Sequence, residues 1–499
     1  MGGAGVSEAN GVLRNHYHPA GVTIYIEKRL TNQSYRLFSQ PLFVWCRFWI
    51  VEGKCVIMTT AIICIFIAGY IMVAMENVTR INRTAVALMM AVLCWTLFYI
   101  GFGASPENIS TFTRTLGETS EILFFLLGAM VIVEVVDTNG GFSFVREKLV
   151  SKTKVALLWK LTLITFFLSS VLDNMTTAIV MTMVTDKLVN DRRDKLFYVS
   201  MIIVAANSGG AFSPIGDVTT IMLWVKGNIS TFGVMKALFL PALVSVIVPA
   251  VILSLFLRGK LGRNELNGNA HSLTEVEISS GERVAVFCVG VGGLLLVPVF
   301  RFVTDLPPFM GILLILAVLW TVTEFIFKQK KYQDIPPGHL PDVSALLHKI
   351  DLSTILFFLG ILTTVAAVSE TGALKALGTT LDATFDSNPY IITGIIGILS
   401  AIIDNVPLVA SCMGMYDVAM VPDTMTAAGN LAIYGIDGTF WQLLAYSAGT
   451  GGSMLIIGSA AGVVVMGLQN ISFGWYLKHF SWIALLGFLA GMATFAILS

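Results

Sequence analysis

Two Asp-Asn pairs, Asp173-Asn174 and Asp404-Asn405, fall near the middle of apolar stretches at about 155 to 189 and 388 to 421. A carboxylate at mid-bilayer costs about 2.5–3.5 kcal/mol on insertion scales, so an intramembrane Asp reads as functional. Each Asp is followed by an amide carbonyl, from Asn174 or Asn405, and in the first stretch Thr176 and Thr177 add hydroxyls. An oxygen-only set of this kind suits a hard cation at Asp173 and Asp404. Two more stretches, NSGGAFSPIGD at 207–217 and GTGGSMLIIGS at 449–459, put paired glycines, and in the first Pro214, inside apolar spans. Helices there should break and free backbone carbonyls near Ser208, Thr450 and Ser453 for coordination. The first break also supplies a third carboxylate, Asp217, followed by Thr219, where the second has Ser459. The duplicated site is therefore chemically asymmetric, with more negative charge in the first half. Ser169, before the first tip, and Glu134, near the end of the third crossing, are second-rank candidates. Asp137 reads as interfacial, Glu324 and Glu370 as helix-end residues, and Lys160 as a side chain that snorkels to the surface.

The chain that must position these groups has 499 residues, 56% hydrophobic and 12% charged. Ordinary soluble domains run near 45–50% and about 25%, so a water-soluble globule is excluded. Lys+Arg and Asp+Glu balance at 31 each, which argues against a nucleic-acid partner. The six cysteines include no CxxC pair, and the six histidines lie outside or at the edges of the apolar runs, so no cofactor is indicated. No nucleophile–base pair or metal cluster suggests an enzyme.

A hydrocarbon core about 30 Å thick needs around 20 apolar residues per helix. Ten stretches meet that need, at about 56–74, 84–102, 120–136, 196–225, 232–257, 284–302, 307–327, 352–368, 439–468 and 475–498. The stretch at 155–189 is flanked on both sides by Lys and Arg, which places both its ends in the cytoplasm and makes it a re-entrant hairpin. The stretch at 388–421 is followed by Asp417, Asp423 and Asp437, with no Lys or Arg between Lys375 and Lys478, so its ends face outside. The same count puts the basic residues 1–57 outside, against the positive-inside rule. They read either as a disordered or interfacial extension or as an upstream misassignment of a chain starting at Met58. A signal peptide fits poorly, because no short apolar core precedes a small-residue cleavage site.

The sequence also repeats itself. EILFFLLGAMVIVEVVDTNGGF from Glu121 matches TILFFLGILTTVAAVSETGAL from Thr354, SSVLDNMTTAIVM matches LSAIIDNVPLVAS, and NSGGAFSPIGD matches GTGGSMLIIGS, all in the same order. Each copy holds five crossings plus one hairpin that does not cross, and an odd number of crossings inverts the second copy. The fold expected is an all-α polytopic membrane protein, an inverted repeat with broken helices at the midplane. The first repeat occupies 58–257, with its broken helix at 196–225. A cytoplasmic linker follows at 258–283, and the second repeat fills 284–499, with its broken helix at 439–468. Inverted repeats suit secondary transporters, because two mirrored halves can expose one site alternately to either side.

SSVLDNMTTAIVM followed by AANSGGAFSPIGDVTTIMLW closely resembles the NhaD-type sodium/proton antiporters, within an ion transporter superfamily that includes arsenite permeases and sodium-coupled dicarboxylate carriers. The likeness covers 58–499. It implies export of Na+ or Li+ in exchange for H+ across a bacterial inner membrane, with a plastid envelope as the alternative. It implies transport units made of a hairpin and a broken helix between scaffold helices, and the superfamily suggests a homodimer in the lipid bilayer. In the dicarboxylate carriers the tips read Ser-Asn-Thr where this chain has Asp-Asn, which counts against a carboxylate cargo. On this reading Asp173 and Asp404, helped by Asp217, form a shared site at which Na+ and H+ compete. The alternative is a sodium-coupled symporter of a small anion, which should place Lys or Arg beside the tips; none lies within ten residues of Asp173 or Asp404.

Overall fold

The computed structural model describes residues 40–141, 149, 151–259, 279–329, 346–418 and 433–499. The chain divides between Gly53 and Lys54, and the account below concerns the unit from Lys54 onward. Most of the expected linker at 258–283, much of the acidic segment near 419–438 and most of the N-terminal extension lie outside the described residues. The expected boundary at 57/58 falls inside one continuous helix, α1 (Gln40–Ala74).

Among the described residues the structure is helical and has no strand. The first half contains α1, α2 (Arg83–Phe102), α3 (Pro106–Thr138), α4 (Lys154–Ser169), α5 (Asn174–Leu188), α6 (Arg192–Ala211), α7 (Val218–Val225) and α8 (Thr231–Phe256). The second contains α9 (Ser280–Thr304), α10 (Pro308–Gln329), α11 (Leu352–Glu370), α12 (Ala373–Phe385), α13 (Pro389–Ser400), α14 (Asn405–Met415), α15 (Thr439–Gly451), α16 (Ala460–Gln469), α17 (Phe473–His479) and α18 (Ser481–Leu498). Many helices start where the sequence supplies a cap. Ser105 caps α3 ahead of Pro106, Thr153 caps α4, and Ser279 and Glu282 close a reciprocal capping box on α9.

Eight of these helices are long and apolar enough to cross a bilayer. They coincide with eight of the ten expected crossings, and the other two, 196–225 and 439–468, are the broken pairs α6–α7 and α15–α16. One boundary moves. The last crossing begins at Ser481 instead of 475, because Phe480 leaves helical geometry and separates α17 from α18, and α17 is itself bent 112° from α16. Both Asp-Asn stretches are helical hairpins. The 16 residues of α4 and the 12 of α13 reach only about 24 Å and 18 Å at 1.5 Å per residue, short of the hydrocarbon thickness.

The internal duplication extends to atomic contacts. Ser169 Oγ donates to the Ala206 carbonyl at 2.6 Å, and Ser400 Oγ donates to the Ala448 carbonyl at 2.7 Å, so each hairpin is pinned to its broken helix by the same bond. A Cβ on Gly209 would stand 2.1 Å from the Phe166 carbonyl oxygen, and one on Gly451 would stand 2.3 Å from that of Gly397. Helix pairs repeat as well: α4 packs on α6 as α13 packs on α15, and α3 packs on α10 as α11 packs on α2. Across the two halves, α5 packs on α16 and α14 on α7. Such close approach of backbone explains why the breaks are rich in glycine.

This packing yields a direct test. Gly209→Ala forces a methyl against backbone that cannot yield and should destabilise the protein by about 1–3 kcal/mol, read as a lower melting temperature in detergent. Gly117→Ala on α3, with nothing within 4 Å of the added carbon, should leave the melting temperature unchanged or slightly raised.

Candidate functional site

The site is assembled from helix starts. Asp173 is the N-cap of α5, Asp217 of α7, Asp404 of α14 and Ser459 of α16. Asp173, Asn174, Asp217, Asn405 and Ala460 line a cavity of about 40 Å³ whose remaining walls are mostly apolar side chains of α3, α7, α9 and α11, such as Phe125, Ile221, Leu294 and Phe358. A water needs roughly 10–15 Å³ by the same measure, so the space suits a small ion with a few waters.

Asp217 is the hub. It is 1% exposed, and its carboxylate accepts from Asn174 Nδ2 (3.2 Å), Asn405 Nδ2 (3.2 Å) and Thr219 Oγ1 (2.7 Å). Both hairpin tips therefore converge on one carboxylate through their Asn residues. Asn174 Nδ2 also donates to Asn207 Oδ1 at 3.0 Å, and Asn207 Nδ2 donates to Ser453 Oγ (3.0 Å) and Ser459 Oγ (2.9 Å) of the second half. Asn207 is the link between the two broken helices. The equivalent residue in the second half is Gly449, and a Cβ there would stand 3.3 Å from Asp217 Oδ2. The two halves thus meet at the same places with different chemistry, amide to hydroxyl on one side and glycine to carboxylate on the other.

The two tip carboxylates lie in different surroundings. Asp173 accepts from the backbone N–H of Thr176 at 2.8 Å and from the Thr176 hydroxyl, so it is held as a helix cap. Asp404 accepts a longer bond from Val406 N at 3.4 Å and has the Arg83 guanidinium 3.6 Å away. Among the described residues no three His, Cys, Asp or Glu side chains gather as a metal-binding group. The three carboxylates are therefore spread along the junction of the halves and do not form one tight cluster.

The other candidates divide between the site and its frame. Thr177 is buried beside the Asp173 tip, and its hydroxyl has no hydrogen-bond partner. Ser208 faces α8, with its Oγ 2.9 Å from that of Ser245, and Thr450 donates to the Tyr446 carbonyl one turn back. Glu134 accepts from Thr138 at 3.1 Å on its own helix, and Ser169 is the hairpin pin already described. The carbonyls expected to be free at the breaks are largely taken. Gly210 O and Thr450 O accept from backbone N–H groups three residues on, and Ser453 O accepts from Tyr476 Oη at 2.7 Å. Short local turns satisfy them, as buried backbone requires.

Two residues of the site escape a reading along the sequence. Asn207 sits in the quoted motif, but its role depends on reaching the other half. Arg83 comes from α2, far from either tip in sequence, so the absence of Lys or Arg within ten residues of Asp404 did not describe its surroundings.

The chain matches the citrate transporter family (CitMHS) over residues 70–436. The chain belongs to that family. Among its relatives, "Sodium/proton antiporter 2" of Arabidopsis thaliana is 42% identical over 86% of this chain and 97% of its own length, and "Sodium/proton antiporter 1" of the same plant is 42% identical over 90% and 73%. The "Na(+)/H(+) antiporter NhaD" of Halomonas elongata is 28% identical over 86% of each. The solved structure of the Alcanivorax borkumensis YdaH transporter superposes with a TM-score of 0.50 at 11% identity, over 84% of this chain and 98% of that one, which supports the fold. This family member is thus a multi-pass membrane protein of a transporter family.

Asn207→Ala removes both donors to Ser453 and Ser459 and leaves Asn174 short of an acceptor. It should cost about 1–3 kcal/mol. In a double-mutant cycle with Ser459→Ala, read as detergent melting, the two changes should be non-additive, whereas Asn207→Ala paired with the distant Gly117→Ala should be additive.

Proposed function

We propose that the protein is a secondary transporter that exchanges Na+ for H+, the two ions competing for the carboxylates at the junction of its halves. The observation that carries this reading is Asp217, a buried carboxylate facing a small cavity that Asp173 also lines. A charge held from water is costly unless a counter-ion or a proton neutralises it. Such a site accepts one monovalent cation or one proton, and loading with either displaces the other. With their amide nitrogens donated to Asp217, Asn174 and Asn405 keep carbonyl oxygens as ligands, and the Thr177 hydroxyl is a further one. Na+ and Li+ both suit such hard oxygen ligands.

The family description names citrate, and Arg83 puts a cation near one tip, as an anion carrier would. Arg83 is balanced by Asp404 and is not among the cavity-lining residues, which include two carboxylates and no Lys or Arg. A cavity of about 40 Å³ with that lining repels a tricarboxylate. The relatives named sodium/proton antiporter support the same choice. Identity is 42% to the Arabidopsis relatives and 28–30% to the Halomonas and Alkalimonas ones, which favours a eukaryotic membrane over the bacterial inner membrane.

The test uses everted vesicles energised to an acid interior, with a pH-sensitive dye and added NaCl, LiCl, KCl or citrate. Na+ and Li+ should discharge the proton gradient, and citrate should not. Asp217→Asn should abolish the signal at unchanged protein abundance, and Asp173→Asn and Asp404→Asn should lower it at least tenfold, about 1.4 kcal/mol of transition free energy. Sodium-dependent citrate uptake without any cation-driven proton movement would overturn the assignment.

A further inference from the structure

Arg83 stands between two acids. Its Nη1 is 3.6 Å from Asp404 Oδ2 and its Nε is 4.0 Å from Glu76 Oε2. The guanidinium lies over the Phe357 ring, 4.8 Å from the centroid, and Phe357 is buried on α11. Glu76 is held in place by the backbone N–H of Arg83, which donates to its Oε1 at 3.1 Å. Exposure rises along the row, from 12% for Asp404 through 18% for Arg83 to 33% for Glu76.

Neither distance is that of a tight charge-assisted bond, which runs about 2.7–2.9 Å. Arg83 is thus shared between two carboxylates, with an aromatic face under it that can support the guanidinium at either. Its charge is permanent, so it can leave Asp404 only by moving. The other two site carboxylates have neutral partners instead: Asp173 has Thr176, and Asp217 has two amides and Thr219.

We propose, on the basis of the sodium/proton exchange set out above, that Arg83 is a tethered cation that occupies Asp404 whenever no transported cation is bound there. Na+ arriving at Asp404 releases Arg83 toward Glu76, and Arg83 returns as Na+ leaves. The junction then never holds an unpaired carboxylate at Asp404, and the apparent Na+ affinity is set by the fraction of carriers in which Arg83 has swung away. Arg83 is a positioning residue: it acts through Asp404 and does not ligate the cargo.

The test is the Na+ dependence of exchange by the full chain in liposomes, after the parent has shown Na+-driven proton movement. A parent with no such movement defeats the exchange reading itself, before any variant is compared. Arg83→Gln should lower the KM for Na+ by roughly two- to fivefold, the scale of a partly exposed ion pair, while the maximal rate falls because no tethered cation helps displace the departing Na+. Arg83→Lys should restore both toward the parent. Glu76→Gln removes the alternative seat and should raise KM by a similar factor. A role in folding alone lowers the amount of active protein without lowering KM. A KM in Arg83→Gln at or above the parent's value overturns the proposal. Where Arg83→Gln does not reach the membrane, an unchanged KM in Glu76→Gln overturns it, and a raised KM supports it.

Discussion

A carboxylate kept from water has to be neutralised or solvated by something the protein brings to it, and Asp217 imposes that requirement on both halves of the chain. Its oxygens accept from Asn174 of one hairpin and Asn405 of the other. Those donors can arrive only if two short hairpins end at the same depth as two helix breaks. The arms that end in the tips, 16 residues in α4 and 12 in α13, are shorter than a full crossing needs. The breaks cannot close because Gly209, Gly210, Gly451 and Gly452 lie against backbone that leaves no room for a side chain. The outer helices α8 and α18, packed against one another and against α6 and α15, form the frame that holds these pieces at one level.

Much of this was legible in the sequence because the exceptional residues announce themselves. An Asp inside an apolar run, a Gly-Gly step and Pro214 stand out from their neighbours, and the hairpins, the breaks and eight spans follow from them. What was not legible is what depends on a partner distant in sequence. Asn207 is one polar residue among several in its motif, and only the position of Ser453 and Ser459 makes it the link. Ser208 and Thr450 were singled out where Asn207 was not, and their hydroxyls bond to Ser245 and to the Tyr446 carbonyl. Arg83 precedes an ordinary apolar helix, and its meaning comes from Asp404, which reaches it through the fold. The carbonyls at the breaks were expected to be free, but local turns occupy them. Counting residues along the chain cannot show how a broken helix satisfies its own backbone.

The duplication divides labour between backbone and side chains. Backbone contacts are kept nearly identical in the two copies, down to the Ser169 and Ser400 hydroxyl bonds and the glycine approaches. Side chains at equivalent places differ: Asp217 against Ser459, Asn207 against Gly449, and Arg83 beside Asp404 with a threonine beside Asp173. The common backbone gives the two halves matching packing. On the exchange proposed above, the differing side chains offer an ion one set of partners instead of two equivalent ones. A second carboxylate in place of Ser459 would join Asp217 in one buried network through Asn207 and Asn174, and like charges there repel unless one is protonated.

The charge of the junction also bears on the exchange proposed for a chain whose family is described by an anion. Four helices begin there, and each helix start carries roughly half a positive charge, so a backbone of this shape with neutral caps offers about two positive charges to an anion. This chain places Asp173, Asp217 and Asp404 at three of those starts. Three carboxylates outweigh roughly two positive charges by about one, which leaves room for a single monovalent cation or a proton. When neither is bound, the deficit falls on Arg83, already 3.6 Å from Asp404. On the exchange proposed above, the caps that start the helices therefore also favour a cation over an anion at the junction, while other residues hold the frame.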